Sequence, residues 1–384
     1  MYSIWGYRPV TGGDGEELIN DLFDPDLDPS SDYRVNPLMS VKNEHNPLYT
    51  YNFTANSYVQ YRIFDNLILR MTGGYNKIHQ RREVFFNSQS RGGHKYSTNK
   101  VNAYLTNIER TNFLNENTLT YNVKLKKGHN LKLLGGFTVQ DAYYFGSEVR
   151  SILIPNESLG IAGMDEGQIT QVPISSTSNG LLSYLGRVDY NYNSRYLLTA
   201  SFRADGSSKF PKDNRWAYFP SASVAWGFGE EPFVKKIRQI SNGKFRIGIG
   251  ATGNNRISDF AALTALQITT DSGYNEGNSA GQGVVPTSLG NSKLKWETTV
   301  QTNVGVDLGL FKNRISLTAD YYYKETKDLL LNATLAPSMG FLSAYKNIGK
   351  VSNSGLEFTI DTKNIETKNF QWTSSFNISF NRNK

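Results

Sequence analysis

Three patterns in this chain carry residue types at spacings that chemistry uses. Gly248, Gly250 and Gly253 in GIGATG satisfy a G-x-G-x-x-G pattern. In dinucleotide folds that loop opens a helix whose N-terminus holds a pyrophosphate. Here the glycines lie within and at the end of an alternating segment, and NNRISDF follows in place of a helix start. They read as small residues where a strand meets a loop. DPDLDPSSD sets Asp24, Asp26, Asp28 and Asp32 at the alternate spacing of a calcium loop. An EF-hand needs Gly at its sixth position and a bidentate Glu at its twelfth, where this chain has Pro29 and Val35. Those departures favour a solvated acidic loop, with an irregular structural calcium site as the alternative. His45, His79, His94 and His129 are scattered without ligand spacing, and no G-x-S-x-G elbow occurs. Carboxylate pairs for glycoside hydrolysis can lie far apart along a chain, but no pair is indicated. The expectation is no enzyme: no catalytic, cofactor-binding or metal residues.

Composition narrows the class. The 384 residues include no cysteine, which excludes a disulfide framework and thiolate metal sites. Lys and Arg number 41 against 34 Asp and Glu, a net charge of +7 spread along the chain without a dense basic block. Nucleic acid is therefore not an expected partner. No run approaches the ~18 apolar residues of a membrane helix, a test to which alternating barrel strands are invisible. MYSIWGYRPVTGG has no basic n-region, apolar core or cleavage site, so no signal peptide is expected; the chain reads as unexported or as an internal piece of a longer one.

The elements that would position any site are strands. In RYLLTASFRADGSSKF, Tyr196, Leu198, Ala200 and Phe202 alternate with Thr199, Ser201, Arg203 and Asp205, so one face is apolar and the other charged. Similar period-two segments recur from about residue 50 onward. Examples are Val304, Val306 and Leu308 against Asp307, Leu317 against Asp320, and Phe376 and Ile378 against Asn377. About a dozen strands are expected. EEPFVKKIRQIS, residues 230–241, is the one helical candidate.

Connections alternate between short and long. Asp65-Asn66, Gly128, Asn193-Ser194 and Lys312-Asn313 mark tight polar turns, while 79–107, 150–178, 253–294 and 329–350 are long links. In an up-and-down meander this trims one rim and loads the other, the anatomy of an outer-membrane barrel with short periplasmic turns and long extracellular loops. Tyr190, Tyr196, Trp216, Tyr218 and Trp226 fall at strand ends, where interfacial aromatic girdles sit. Alternation alone does not separate this barrel from a soluble sandwich with its apolar face inward. The one-sided loops over more than 300 residues favour the barrel.

Several stretches together resemble the SusC/RagA family of TonB-linked outer-membrane transporters of Bacteroidota. They are FRADGSSKFPKDNRWAYFPSASVAWGFGEEPFVKK (202–236), KFRIGIGATGNNRI (244–257), LKWETTVQTNVGVDLGLFKNRISLTADYYYKETKDLLL (294–331) and YKNIGKVSNSGLEFTI (345–360). YRPVTGG (7–13) and NPLMSVKN (36–43) look like earlier family positions. The resemblance implies an all-β, antiparallel up-and-down transmembrane β-barrel, of whose 22 strands this chain would supply about 12. It implies an N-terminal plug, energy passed by TonB, a SusD-like surface lipoprotein as lid, and oligosaccharide or peptide substrates. Residues 1–384 would then be a partial barrel domain, with plug, TonB-contacting segment, signal peptide and final strands absent.

On this reading the protein sits in the cell outer membrane. Leu198, Phe202, Val304, Val306, Leu308, Leu317, Phe376 and Ile378 should face lipid from the outside of a curved sheet. Arg187, Asp189, Thr199, Arg203, Asp205, Asp307 and Asp320 should face the lumen. Tyr274 and Tyr345 on long loops are candidates for stacking on sugar rings. The rival readings are a passive outer-membrane porin and a soluble all-β carbohydrate-binding protein.

Overall fold

The computed structural model describes residues 41–95, 97–276 and 279–384. The acidic run at Asp24–Asp32 and the YRPVTGG stretch lie outside them. In chain order the strands are β1 (Glu44–His45), β2 (Leu48–Phe64), β3 (Leu67–Phe86), β4 (Asn102–Val123), β5 (His129–Ile152) and β6 (Gln168–Gln171). Next come β7 (Ile174–Tyr192), β8 (Tyr196–Ser207), β9 (Trp216–Trp226), β10 (Ile240–Asn254), β11 (Ala265–Glu276) and β12 (Ser279–Leu289). The last are β13 (Glu297–Leu310), β14 (Ile315–Lys327), β15 (Leu330–Thr334), β16 (Ser343–Asn347), β17 (Lys350–Glu366) and β18 (Gln371–Asn383). Fourteen of them form one sheet, in the order β1-β3-β4-β5-β7-β8-β9-β10-β13-β14-β17-β18, with β2 also on β3 and β6 on β5. Sequence-adjacent long strands are thus neighbours, the meander that the alternating connections require. Among the described residues, β18 pairs only with β17, and no pairing closes the sheet into a ring.

The short connections share one end of the strands. Asn193 and Ser194 (φ 49° and 56°) and the run Phe311, Lys312, Asn313 (φ 53–59°) turn through the left-handed region. Asn tolerates that region better than most side chains, because its short polar group bonds to local backbone. Asn191 Oδ1 accepts from Ser194 N–H at 2.8 Å and completes the first of these turns. The links after β3, β5, β10 and β14 are long.

Two expectations are corrected. Residues 230–241 are not an α-helix: a 3₁₀ turn at Phe228–Glu230 is followed by separate turns. Backbone bonds run from Val234 N to Glu231 O and from Ile237 N to Val234 O. Only Val234 of this segment's large apolar residues is buried, so no continuous stripe anchors a longer helix. The links 253–294 and 329–350 are not plain loops, since β11, β12, β16 and β15 form a second, four-stranded sheet.

The chain divides into two compact units, each described by itself. One comprises the described residues up to Ala55, Tyr75–Asn112 and Ala142–Ser178. Its core is Phe85, Ala103 and Ile154, with Val101, Ile161 and Met164 against them. Glu157 Oε2 accepts from Ser88 N–H at 2.7 Å and ties the 3₁₀ segment Glu157–Glu166 down.

The other unit comprises Asn56–Gly74, Phe113–Asp141 and Asn179–Lys384. Its core lies beneath the long links, where Phe210, Phe219, Ile257, Leu294 and Trp296 cluster. Trp296 Nε1–H donates to Arg215 O at 2.8 Å, so the indole is buried with its polar edge satisfied. A Cβ at Gly253 would run into the Phe219 ring, which explains the last glycine of the G-x-G-x-x-G pattern. Gly248 and Gly250 lie inside β10, paired with Ser223 and Ser221 of β9. These glycines serve strand packing, and no helix follows them.

Candidate functional site

The sheet's two faces are chemically opposite, and the register makes this explicit. Residues directly across an antiparallel ladder share a face. From β7 to β18 one row reads Tyr190, Leu198, Val224, Ile247, Val304, Tyr321, Leu356 and Phe380. One residue along each strand, the next row reads Asp189, Thr199, Ser223, Gly248, Asn303, Tyr322, Gly355 and Asn381. The first row is apolar across eight strands; the second is polar or small.

Exposure runs opposite to that of a water-soluble core. Phe202 is 51% and Ile249 54% exposed, and Leu198, Val224, Ile247 and Tyr321 are exposed too. On the other face Asp205 is 8% exposed and Ser183 2%. A two-layer sandwich would bury the first set between its sheets. Nothing among the described residues covers it.

The eight residues expected to face lipid share the apolar face. Val306 lies opposite Ala319, Leu308 opposite Leu317, Phe376 opposite Ile360 and Ile378 opposite Phe358. The seven expected to face a lumen share the other, where five of them meet along one strand or across the ladder. Arg187 Nε and Nη2 fork onto Asp189 at 2.8–3.0 Å, and Thr199 Oγ1–H donates to the same carboxylate at 2.9 Å. Arg203 Nε–H donates to Asp205 Oδ1 at 2.7 Å, and its Nη2 reaches Ser183 Oγ at 3.0 Å.

Asp307 and Asp320 meet on a residue that the sequence patterns did not single out. Arg246 on β10 donates to Asp307 through Nε at 2.8 Å and Nη2 at 2.9 Å. It reaches Asp320 at 3.1 Å. Gly305 sits between these strands, and a Cβ there would collide with the Asp320 carboxylate and the guanidinium. Arg246, Asn303, Asp320, Tyr322, Lys324 and Glu357 line an open depression of about 630 Å³. It offers both signs of charge, amides and a phenol, a surface suited to hydrogen-bonding polar ligands or another polar protein surface. Among the described residues no group of three His, Cys, Asp or Glu is placed to hold a metal ion.

Aromatic rings mark both strand ends of the apolar face. Toward the long links, Trp216 stacks on Tyr184 at 5.9 Å and Tyr218 on Phe202 at 5.9 Å. At the short-turn rim Tyr192 stacks on Tyr196 at 6.4 Å, while Tyr190 O–H shares a 2.8 Å hydrogen bond with His129 Nδ1. Glu231 is buried against this rim. Trp226 Nε1–H donates to its Oε1 at 3.2 Å, Tyr196 O–H donates at 2.9 Å, and Arg195 lies 3.5 Å from Oε2. The donors on Trp226 and Tyr196, with the Arg195 charge, hold this carboxyl below its ordinary value of 4.5. Trp216 and Trp226 are the first and last of the 11 residues of β9. At ~3.3 Å per residue they stand ~33 Å apart along the strand. A strand tilt of ~40° reduces this to ~25 Å, the height of an outer-membrane apolar band.

Of the loop aromatics, Tyr345 on β16 packs against the Phe210–Trp296 cluster, with its O–H 3.3 Å from Ser258 Oγ. Tyr274 lies on β11.

Comparison with known proteins is consistent across its three forms. The family described as TonB dependent receptor-like, β-barrel, matches residues 2–384. TonB-dependent receptor P3 of Formosa agariphila is 35% identical over 390 residues, covering 100% of this chain and 37% of that protein. TonB-dependent receptor SusC of Bacteroides thetaiotaomicron is 38% identical over 238 residues, 58% of this chain and 24% of that one. The RagAB peptide transporter structure superposes with a TM-score of 0.80 at 21% identity, covering 89% of this chain and 37% of that one. That last likeness is one of fold. The chain thus spans between about a quarter and a little over a third of the length of these relatives.

Proposed function

The chain belongs to the TonB-dependent receptor β-barrel family of the outer membrane, and from that premise we propose that it supplies barrel wall to an active importer of oligosaccharides or peptides. In this reading the apolar face meets acyl chains and the Arg246 face looks into a wet lumen. The short turns lie in the periplasm and the long links outside the cell. The family is a set of non-enzymatic transporters, and the wall does no chemistry. It holds a polar conduit open in lipid, while the energy passed by TonB acts through the rest of the longer protein.

One observation carries the reading: an uncovered apolar row lies one residue from a row of polar or small residues across eight strands. A soluble carbohydrate-binding sandwich would bury the apolar row. The relatives favour an importer working with a SusD-like surface lipoprotein over a passive pore, since a SusC and the RagAB peptide transporter are among them.

Uptake by cells making the full-length protein tests this. Accumulation of labelled oligosaccharides or peptides should need both this protein and TonB. Equal entry without TonB would assign the protein to the passive pores instead.

A further inference from the structure

The short-turn rim is basic and greasy at once. Leu125 is exposed among Lys124, Lys126 and Lys127, Phe311 beside Lys312 and Arg314, and Phe370 two residues from Lys368. The longest short-rim connection, 227–239, has the same make-up on a larger scale. Phe233 is 60% and Ile237 44% exposed, interleaved with exposed Lys235, Lys236 and Arg238. Asp65, Glu230 and Glu231 are the acidic residues of the short turns. Two of them are already paired, Glu230 with Lys235 at 2.7 Å and Glu231 with Arg195 at 3.5 Å. Lys236 and Arg238 make no ion pair among the described residues.

The position of this segment is fixed by the girdle. Glu231 is clasped by Trp226 and Tyr196, and Phe228 packs on Trp226 at 5.7 Å. Both girdle residues project from the apolar face, so the segment leaves the sheet on the side that meets lipid. Uncovered Phe and Ile next to unpaired cations, continuous with an interfacial aromatic belt, have the make-up of a membrane-surface element. Cations there gain from anionic headgroups, and apolar side chains gain from the acyl boundary.

We propose that the short-turn rim is a binding collar for anionic phospholipid, with Lys236 and Arg238 on headgroup phosphates and Phe233 and Ile237 among the upper acyl carbons. This rests on the reading that the apolar face of the sheet meets lipid. The occupant is the phospholipid of the inner leaflet, against which the short turns lie in that orientation.

The test uses the full-length protein in lipid nanodiscs, with an environment-sensitive fluorophore on Gln239→Cys in the rim segment or on Ala222→Cys in the apolar face. This chain contributes no competing cysteine. Quenching by phosphatidylglycerol spin-labelled near the headgroup is compared with quenching by equally labelled phosphatidylcholine. At position 239 the anionic lipid should quench at a much lower mole fraction. K236Q/R238Q should reduce that preference roughly tenfold or more, as two lost cations at a charged surface imply. Equal quenching by the two lipids, or no effect of the double substitution, would overturn the collar. So would an unquenched 239 label while deep-labelled lipid still quenches 222, an outcome that leaves the lipid-facing reading intact. If neither position is quenched, the lipid-facing reading fails and the collar fails with it.

Discussion

Arg246 and Asp307 meet diagonally across neighbouring strands in a two-pronged contact, with N–O distances of 2.8 and 2.9 Å. The same guanidinium holds Asp320, so one cation separates two carboxylates that Gly305 allows to approach. Removing the cation leaves like charges side by side on a face only partly open to water. Arg246→Met should therefore destabilise the full-length protein by ~1 kcal/mol after solvent screening of groups about a third exposed. Arg246→Lys should cost less, since it keeps the charge and loses the fork. Urea unfolding in detergent reads this. A double-mutant cycle with Asp307→Asn should return a favourable coupling, and zero coupling would mean that the fork contributes nothing.

Glu231 predicts a pH dependence at the short-turn rim. Its carboxyl is held below the ordinary 4.5 by donors on Trp226 and Tyr196 and by the Arg195 charge. A depressed folded value means that the unfolded chain binds the proton more readily. The clasp's contribution is then fully present above about 4.5 and is lost as pH falls through the lowered value. Trp226 fluorescence in the full-length protein, assigned by difference against Trp226→Phe, should shift over that acid range. Glu231→Gln should abolish the shift. A shift of equal size in the Gln variant would rule Glu231 out as its source.

The strand pattern was legible in the sequence because a sheet with two chemically different faces asks for it locally. Each of Leu198, Phe202 and Val304 is apolar because of its own face, and period two exposes that without knowledge of any partner. The turns were legible for the same reason: Asn193-Ser194 and Lys312-Asn313 carry left-handed conformations within a few residues. Partnership is different. Arg246 lies in KFRIGIGATGNN, but its acceptors are 61 and 74 residues further on. Only the register of three strands brings them together. The second sheet escaped notice because β15 and β16 are five residues each and β12 includes Gly and Pro, which reads as loop. The helix expected at 230–241 failed because Val234 alone of its large apolar residues is buried, with Phe233 and Ile237 left exposed. Propensity without burial does not consolidate a short helix.

Leu294 has no exposed surface and sits in the cluster with Phe210, Phe219, Ile257 and Trp296. Leu294→Ala should cost ~2–5 kcal/mol where the site cannot collapse, a range set by how far the surrounding rings relax. The loss should be local, because the cluster ties the long links down onto Phe219 and Ala251 of β9 and β10, while those strands keep their own ladder bonds. Hydrogen exchange should accelerate in residues 255–264 and 290–296 while the amides of β13 and β14 stay protected. Uniform acceleration across the ladder would show that the cluster holds up the sheet as well.

Neighbouring positions on one strand give the most direct test of which face meets lipid. Val304 and Asn303 are adjacent in the middle of β13, so their side chains leave opposite faces of the same ladder. Val304 lies opposite Ile247 and Tyr321, and Asn303 opposite Gly248 and Tyr322. An arginine on the lipid side near mid-membrane costs ~2–4 kcal/mol, because no nearby water or counter-charge receives the guanidinium. On the other side it enters a surface that already carries Asp320, Glu357 and open solvent, where a cation finds partners. Val304→Arg should therefore lower refolding stability into lipid vesicles by that amount, and Asn303→Arg should change it by under ~1 kcal/mol. The comparison cancels strand propensity and position along the membrane normal, since the two sites are one residue apart. A reversed order, with Asn303→Arg the costly change, would put acyl chains on the face of Arg246 and make the apolar row the covered one.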